Sequence, residues 1–312
     1  MTTLRAAKRT LAALGPDNFF VRAVLKAACR RDGARLTFSD RCIDVVKGQR
    51  VIRLSKKHMP YVLDMSKAFD HYFEPVVPES VNGQVRVDYS RPRLHQYKES
   101  GLEFELSSFP EEASALEGYF RWYRPRTGDL IFDLGAYCGV STYHFAKLVG
   151  AGGRVYAFEP DTTSYDLLLR NIARHNLSNV IALDIGVSGK SGPAEFHSEG
   201  ALGSGLARSL TRAAAGTVTT VTTITFEEAC QRYGMPAFVK VDIEGAEIEM
   251  LEAARPIVKA NAIHFALDTN HYVDGKLTYT AVEQIFRDCG YEVWSSDESG
   301  FMTTWARPAT HS

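Results

Sequence analysis

From residue 129 onward, short apolar runs alternate with stretches whose apolar positions recur every three or four residues, joined by brief polar connections. Alternating strand and amphipathic-helix patterns predict a parallel sheet covered by helices. The predicted strands are LIFDLG (130–135), RVYAFEP (154–160), NVIALDIGV (179–187), AFVKVDIEG (237–245) and AIHFALDTN (262–270). Helices are predicted over 140–149, 161–176, 225–233 and 246–261. In the second of these, Tyr165, Leu168, Leu169 and Ile172 share a face at helical spacing and read as core, with Asp161 as the N-cap.

The rhythm changes at both ends. After a helix at 279–290, YEVWSS and FMTTWARP are separated only by the turn DESG, so these two strands must pair antiparallel. The sheet is therefore expected to be mostly parallel, with one antiparallel strand at its C-terminal end. Residues 1 to about 105 lack the alternation. RLTFSDRCIDVVKGQRVIRLS and SVNGQVRVDYS read as hairpins, and KAFDHYFEPVVPES as a helix end running into a proline-punctuated loop. This region, 1–105, reads as an appended cap or interaction region ahead of a main domain over 106–312. The segment 200–224, rich in Gly, Ala, Ser and Thr, reads either as a mobile loop over a site entrance or as a plain surface loop, ending in a strand.

Composition narrows the class without choosing a chemistry. Hydrophobic residues make up 45% and charged residues 23%, ordinary for a globular protein, and the net charge of −1 provides no overall field for nucleic acid. Five cysteines without a CxxC pair point to ordinary thiols in a reducing compartment, so the cytoplasm is expected and a structural zinc is not. No apolar run has the length of a membrane span. MTTLRAAKRTLAALG at the start fits a basic amphipathic helix, read as a solvated surface helix before a membrane contact.

Chemistry enters at FDLGAYCG, 132–139, where an acid and two glycines occupy a strand-to-helix turn. Glycine tolerates positive φ and lets the backbone approach a ligand closely. The spacing lacks the third glycine of a dinucleotide fingerprint, and Asp133 would be a poor neighbour for pyrophosphate but a good one for a cationic amino-acid group. Glu159 follows Asp133 by 26 residues, where an acid would accept both ribose hydroxyls, and the third strand offers Asp184, positioned for an adenine amino group. A nucleoside bearing an amino acid and a positive sulfur fits these acids: S-adenosylmethionine.

LIFDLGAYCGVST, GRVYAFEPDTTSYDLLLRNIARHN and FVKVDIEGAEIEMLEAA together resemble the FkbM-type methyltransferases, a branch of the class I S-adenosylmethionine-dependent enzymes. The resemblance spans roughly 125–270. It implies a Rossmann-like α/β sheet of the class I methyltransferase kind with an N-terminal extension, and O-methylation of sugars, polyketides or other natural products. By it, Asp133, Gly135, Ala136, Gly139, Glu159 and Asp184 would contact the cofactor. Two positions depart from the family: Tyr137 stands where Asn is usual, and Asp268-Thr269-Asn270-His271 replaces a Glu followed closely by His.

Ligands of open α/β sheets bind beyond the carboxyl ends of the strands, where Asp242, Glu244, Asp268, Asn270 and His271 fall. His271 is the expected general base, because its unperturbed pKa lies near working pH. Asp242 and Asp268 complete the expected catalytic set. Asp242, Asp268 and Asn270 are the candidate oxygen ligands for Mg²⁺. Glu247 reads as a helix-start acid, Glu244 is balanced between structure and chemistry, and His144 and His175 read as structural. Tyr119, Trp122 and Tyr123 read as core before a lid. The expected acceptor is a small-molecule or glycan hydroxyl, and a homo-oligomer is allowed. A nucleic-acid methyltransferase acting on a base amino group would carry Asn/Asp-Pro-Pro-aromatic where this chain has VDIEGAE. A domain that binds cofactor or partner without turnover is the third reading.

Overall fold

The computed structural model describes residues 15–111, 113–198, 205–206, 217–273, 275–298 and 302–309. The expected surface helix at the N-terminus and most of the 200–216 loop lie outside these residues. The chain divides into two compact units, with the break between Pro110 and Glu111.

In the first unit, helix α1 (Phe19–Arg31) begins where the Asn18 side chain accepts the Phe20 and Val21 N–H groups at 2.9 and 3.3 Å. It buries Val21, Leu25 and Cys29. Strands β1 (Arg35–Phe38), β2 (Cys42–Lys47) and β3 (Arg50–Ser55) form an antiparallel meander. Short helices α2 (Val62–Lys67) and α3 (Phe69–Phe73) then lead to the hairpin β4 (Glu79–Val81) and β5 (Gln84–Tyr89), with β5 parallel to β3. One core, including Ile43, Val45, Ile52, Leu54, Val87 and Tyr89, lies between this sheet and the helices. The hairpin β6 (Arg93–Gln96) and β7 (Glu103–Leu106) closes the unit's sequence.

In the second unit, helix α4 (Ala113–Tyr119) precedes β8 (Leu130–Leu134), α5 (Val140–Val149), β9 (Arg154–Phe158), α6 (Thr162–Arg174) and β10 (Val180–Leu183). A four-stranded side sheet follows, of β11 (Gly186–Ser188), β12 (Gly192–Ser198), β13 (Gly205–Leu206) and β14 (Thr217–Thr225). The chain returns through α7 (Phe226–Tyr233), β15 (Phe238–Val241), α8 (Glu247–Ala260) and β16 (His264–Asp268). After the small hairpin β17 (Tyr272–Val273) and β18 (Lys276–Leu277) come α9 (Tyr279–Asp288), β19 (Tyr291–Ser296) and β20 (Thr303–Pro308). The main sheet runs β10-β9-β8-β15-β16-β20-β19, and β20 is its one antiparallel strand, as expected. It sits between β16 and β19 rather than at the edge. Residues 299–301 of the connecting turn lie outside the described residues.

The central strands are buried on both faces, which is why they read as continuous apolar runs. One core, with Phe132, Phe226, Met250 and Phe286, lies on the α7–α9 face. The other, with Ile131, Phe145, Leu168 and Phe238, lies on the α4–α6 face. Two expectations are corrected. The predicted strand 179–187 is two strands in different sheets, interrupted at the exposed Asp184. On α6 the buried positions are Ser164, Leu167, Leu168 and Asn171, while Leu169 is exposed, so the core face is rotated from the predicted stripe. Asp161 does cap the helix, accepting the Ser164 N–H at 3.0 Å.

Candidate functional site

The turn after β8 is held by contacts that only glycine allows. Gly135 has φ +76°, and a Cβ there would lie 1.8 Å from the Asp242 carbonyl oxygen; at Gly139, φ +88°, it would meet Leu168 Cδ1 at 2.5 Å. The close approach these glycines permit is thus to the chain itself, the β15 end and α6, rather than to a ligand alone. The Gly135 and Ala136 N–H groups both donate to the Phe158 carbonyl at 3.0 Å. Tyr137, at φ +49°, occupies the left-handed region that Asn tolerates well, and its ring is buried.

Glu159 ties this turn to the start of α6. Its Oε2 accepts the Tyr137 N–H at 2.7 Å and its Oε1 the Asp161 N–H at 2.8 Å. Burial pushes its pKa up to about 8, against the lowering effect of those N–H groups. Asp184, on the neighbouring strand end, is exposed; partial burial and the nearby Asp166 raise its pKa. Both acids lie at the carboxyl edge of adjacent parallel strands, bridged by the Glu159 N–H to the Leu183 carbonyl at 3.0 Å.

Asp133 is placed differently from expectation. It is fully buried, and its Oδ2 accepts the Ser141 and Thr142 hydroxyls at 2.9 and 2.6 Å. Its Oδ1 is 3.4 Å from the Lys240 ammonium. Asp133 is enclosed, and the two hydroxyls tie it to the first turn of α5.

Lys240, in the middle of β15, is the first group that sequence reasoning missed. Its ammonium donates to the Gly135 carbonyl at 2.7 Å and lies 3.9 Å from Asp242 Oδ2. Burial alone would lower its pKa, but the charges of Asp133, Asp242 and Glu111 outweigh it and keep the cation charged. Glu111 shares this field, and burial pushes its pKa to about 7. The signal was available: a lysine inside FVKV, a strand buried at every position, needs internal partners.

Beyond the next strand end lies His271, with 14% of its side chain exposed. Its Nδ1 is 2.9 Å from Glu247 Oε1, while Nε2 lies 3.7 Å from Asp242 and 3.6 Å from Glu244. Glu247 is fully buried, and the same oxygen accepts the Gly245 N–H at 3.0 Å and the Ile243 N–H at 3.3 Å. It therefore does what a helix-start acid does and also orients the imidazole. The loop carrying His271 is tied down by Thr278, whose N–H donates to the His271 carbonyl at 2.9 Å and whose hydroxyl donates to the Thr269 carbonyl at 3.1 Å. Burial would lower the His271 pKa; Glu247, Glu244 and Asp268 reverse this and carry it well above its ordinary value. Asp268 goes up to about 6, raised by burial and held back by His271.

Donor atoms of Asp242, Asp268 and His271 lie within 4.8 Å of one another, so two of the three expected ligands stand together with the imidazole beside them. The Asn270 side chain is exposed, and its N–H donates to Asp268 Oδ1 at 2.9 Å. An imidazole with two carboxylates is not the oxygen shell that Mg²⁺ prefers. Asp242 also lies 3.9 Å from the Lys240 ammonium. Of the expected ligands Asp242, Asp268 and Asn270, the two carboxylates thus come together in one group, and nothing in the geometry selects Mg²⁺ for it.

Of the aromatic segment 119–129, Tyr119 belongs to the site's surroundings: burial and the charges of Asp242, Asp268 and Glu111 raise its phenol pKa well above the usual value. Trp122 lies under Arg307, and Tyr123 stacks on His264 at 4.1 Å. His144 and His175 pack on the Tyr143 ring, a structural placement.

A family model described as the methyltransferase FkbM domain matches residues 133–293. Among solved structures, the chain is similar to a methyltransferase FkbM from Methylobacillus flagellatus KT, at 16% identity and TM-score 0.44, over 94% of this chain and 60% of that one. It thus spans less than two thirds of that protein's length. A precorrin-6y C5,15-methyltransferase from Geobacter metallireducens GS-15 aligns at 14% identity and TM-score 0.41, over 63% of this chain and 87% of that one. TYW2 of M. jannaschii, in complex with AdoMet, aligns at 16% identity and TM-score 0.40, over 71% and 88%. No curated protein sequence matches.

Proposed function

This chain belongs to the FkbM methyltransferase domain family, and on that premise we propose that it transfers the methyl group of S-adenosylmethionine to a hydroxyl of a sugar, polyketide or other natural product. The observation that carries the reading is the imidazole of His271, clamped by Glu247 on one nitrogen and presenting the other to Asp242 and Glu244 at the carboxyl edge of the sheet.

The residues at that edge suit the cofactor. Asp242 and Asp184 remain accessible at this edge, which favours a ligand carrying a sulfonium and an ammonium. Glu159 and Asp184 stand where ribose and adenine would lie over the first three strands. When bound, S-adenosylmethionine supplies an electrophilic methyl group whose transfer leaves a neutral thioether. The chain's task is to orient the acceptor oxygen and remove its proton. His271 Nε2 takes that proton as the new carbon–oxygen bond forms, and Glu247 stabilises the resulting imidazolium. Asp242, 29% exposed and within reach of both Lys240 and His271, orients the hydroxyl. Because the surrounding acids raise the His271 pKa, the neutral base forms at higher pH than it would for a free imidazole, and turnover should climb as pH rises.

The five cysteines are all free thiols, which supports a cytoplasmic setting. No helix among the described residues is long and apolar enough to cross a membrane.

The test begins with calorimetric titration of S-adenosylmethionine, S-adenosylhomocysteine and NADH. Micromolar affinity for the first two and none for NADH is expected. A screen of hydroxylated acceptors would follow, with His271→Ala lowering kcat by about 10²–10⁴-fold. Absence of binding by either sulfur nucleoside would sink the cofactor assignment, and full turnover in His271→Ala the base assignment.

A further inference from the structure

Helix α1 is apolar on two sides. Val21, Leu25 and Cys29 face the core of the first unit, while Phe19 and Phe20 are 77% and 74% exposed and Val24 is 50% exposed. Ala23 and Ala27 are exposed as well, so Phe20, Ala23, Val24 and Ala27 form a continuous apolar stripe at helical spacing. The Phe19 and Phe20 rings touch edge to face at 5.8 Å. Two neighbouring phenylalanines in water at one helix end are a costly arrangement for a surface with nothing to meet.

Within the helix the charge has one sign, although Asp17 pairs with Arg22 just before it and Asp32 follows it. FFVRAVLKAACRR carries Arg22, Lys26, Arg30 and Arg31 and no acid. Arg22 and Lys26 lie over the Phe38 ring at 5.0 and 5.6 Å, at the margin of the helix. The bias extends through the unit: residues 15–110 hold 16 Lys and Arg against 12 Asp and Glu, a net of +4, in a chain whose total is −1. The 14 residues before them contain Arg5, Lys8 and Arg9 and no acid. Exposed aromatic and aliphatic side chains flanked by cations are what an anionic lipid surface takes up: the rings enter the interface while the basic groups meet headgroups. A duplex would use the charge but leave the Phe20–Val24 stripe in water, and the stacked bases of a single strand would cover the two rings but not Ala23, Val24 and Ala27.

We propose that α1 is a peripheral docking element for an anionic lipid surface, with Phe19, Phe20 and Val24 entering the interface and Lys26, Arg30 and Arg31 contacting headgroups. The proposal is independent of the methyl-transfer reading.

The full chain would be sedimented with phosphatidylcholine vesicles and with vesicles containing phosphatidylglycerol, at low and high salt. Binding to the anionic vesicles alone, weakened by salt, is expected. The double variant Phe19→Ser/Phe20→Ser should lose at least tenfold in affinity with its circular dichroism spectrum and thermal midpoint unchanged, since both rings are exposed. Lys26→Glu/Arg30→Glu/Arg31→Glu should abolish binding. The idea fails if anionic vesicles are not bound, or if binding survives the phenylalanine changes intact, which would mark mere polyelectrolyte attraction. It fails equally if analytical ultracentrifugation shows a dimer that Phe19→Ser/Phe20→Ser dissociates, because the stripe would then be a self-interface.

Discussion

At the scale of single residues, Glu247 couples fold to chemistry. One buried carboxylate oxygen serves the N–H groups that open α8 and the Nδ1 of His271. Spacing alone assigns it to the helix start, and that assignment is incomplete because nothing local in VDIEGAE reveals that a loop 24 residues on returns to it. Its negative charge also holds the imidazolium. Replacing it by Gln removes an anion in direct contact with His271, so the imidazole pKa must fall and the neutral base becomes available at lower pH. The acidic limb of the kcat–pH profile should therefore move down by about one unit in Glu247→Gln. A limb that stays in place would separate Glu247 from the titrating group. Gly135 makes a different prediction, since its would-be Cβ meets a backbone oxygen that cannot step aside. Gly135→Ala should cost roughly 3 kcal/mol or more in urea unfolding, combining left-handed strain with overpacking. A loss under about 1 kcal/mol would show that the β15 end yields.

Among elements, strand β15 carries the densest load. Val239 and Val241 fill one core, Phe238 the other, and Lys240, on the Phe238 face, reaches the glycine turn. Lys240→Met keeps the length of the side chain but leaves Asp133 without its buried counter-charge. The expected cost is about 3–5 kcal/mol by denaturant titration, accompanied by weaker binding of S-adenosylhomocysteine because the turn loses its tether. Unchanged stability and affinity would mean that Asp133 takes a proton instead. Elements of this kind were legible in the sequence: strands buried on both faces announce themselves as apolar runs, and the tight connection between YEVWSS and FMTTWARP forced the antiparallel pairing seen for β19 and β20. Periodicity was less informative where tertiary packing chooses between neighbouring residues. On α6 it could not distinguish Leu167 from Leu169, and in 179–187 it could not show that Asp184 breaks one apolar run between two sheets. The site was legible as residue types at strand ends. Its internal pairing, Lys240 with Asp133 and His271 with Glu247, depends on contacts between distant strands and loops, which no local pattern encodes.

For the whole molecule, the two compact units have separate cores, and the glycine turn, Glu159, Lys240 and His271 all belong to the second. A ligand stabilises only the cooperative unit whose folded form binds it. Calorimetric heating of the intact chain is accordingly expected to show two transitions, with S-adenosylhomocysteine moving one of them. At free ligand near one hundred times Kd, the bound unit should gain about 2.7 kcal/mol, which for a unit of this size raises its midpoint by roughly 5–10 °C, while the other stays fixed. The Phe19→Ser/Phe20→Ser variant supplies the internal control, since its exposed rings contribute to neither core and neither midpoint should shift. If the ligand moved both transitions by the same amount, the units would be folding as one cooperative body. The basic, aromatic helix of the first unit would then be coupled energetically to methyl transfer rather than serving only to place it.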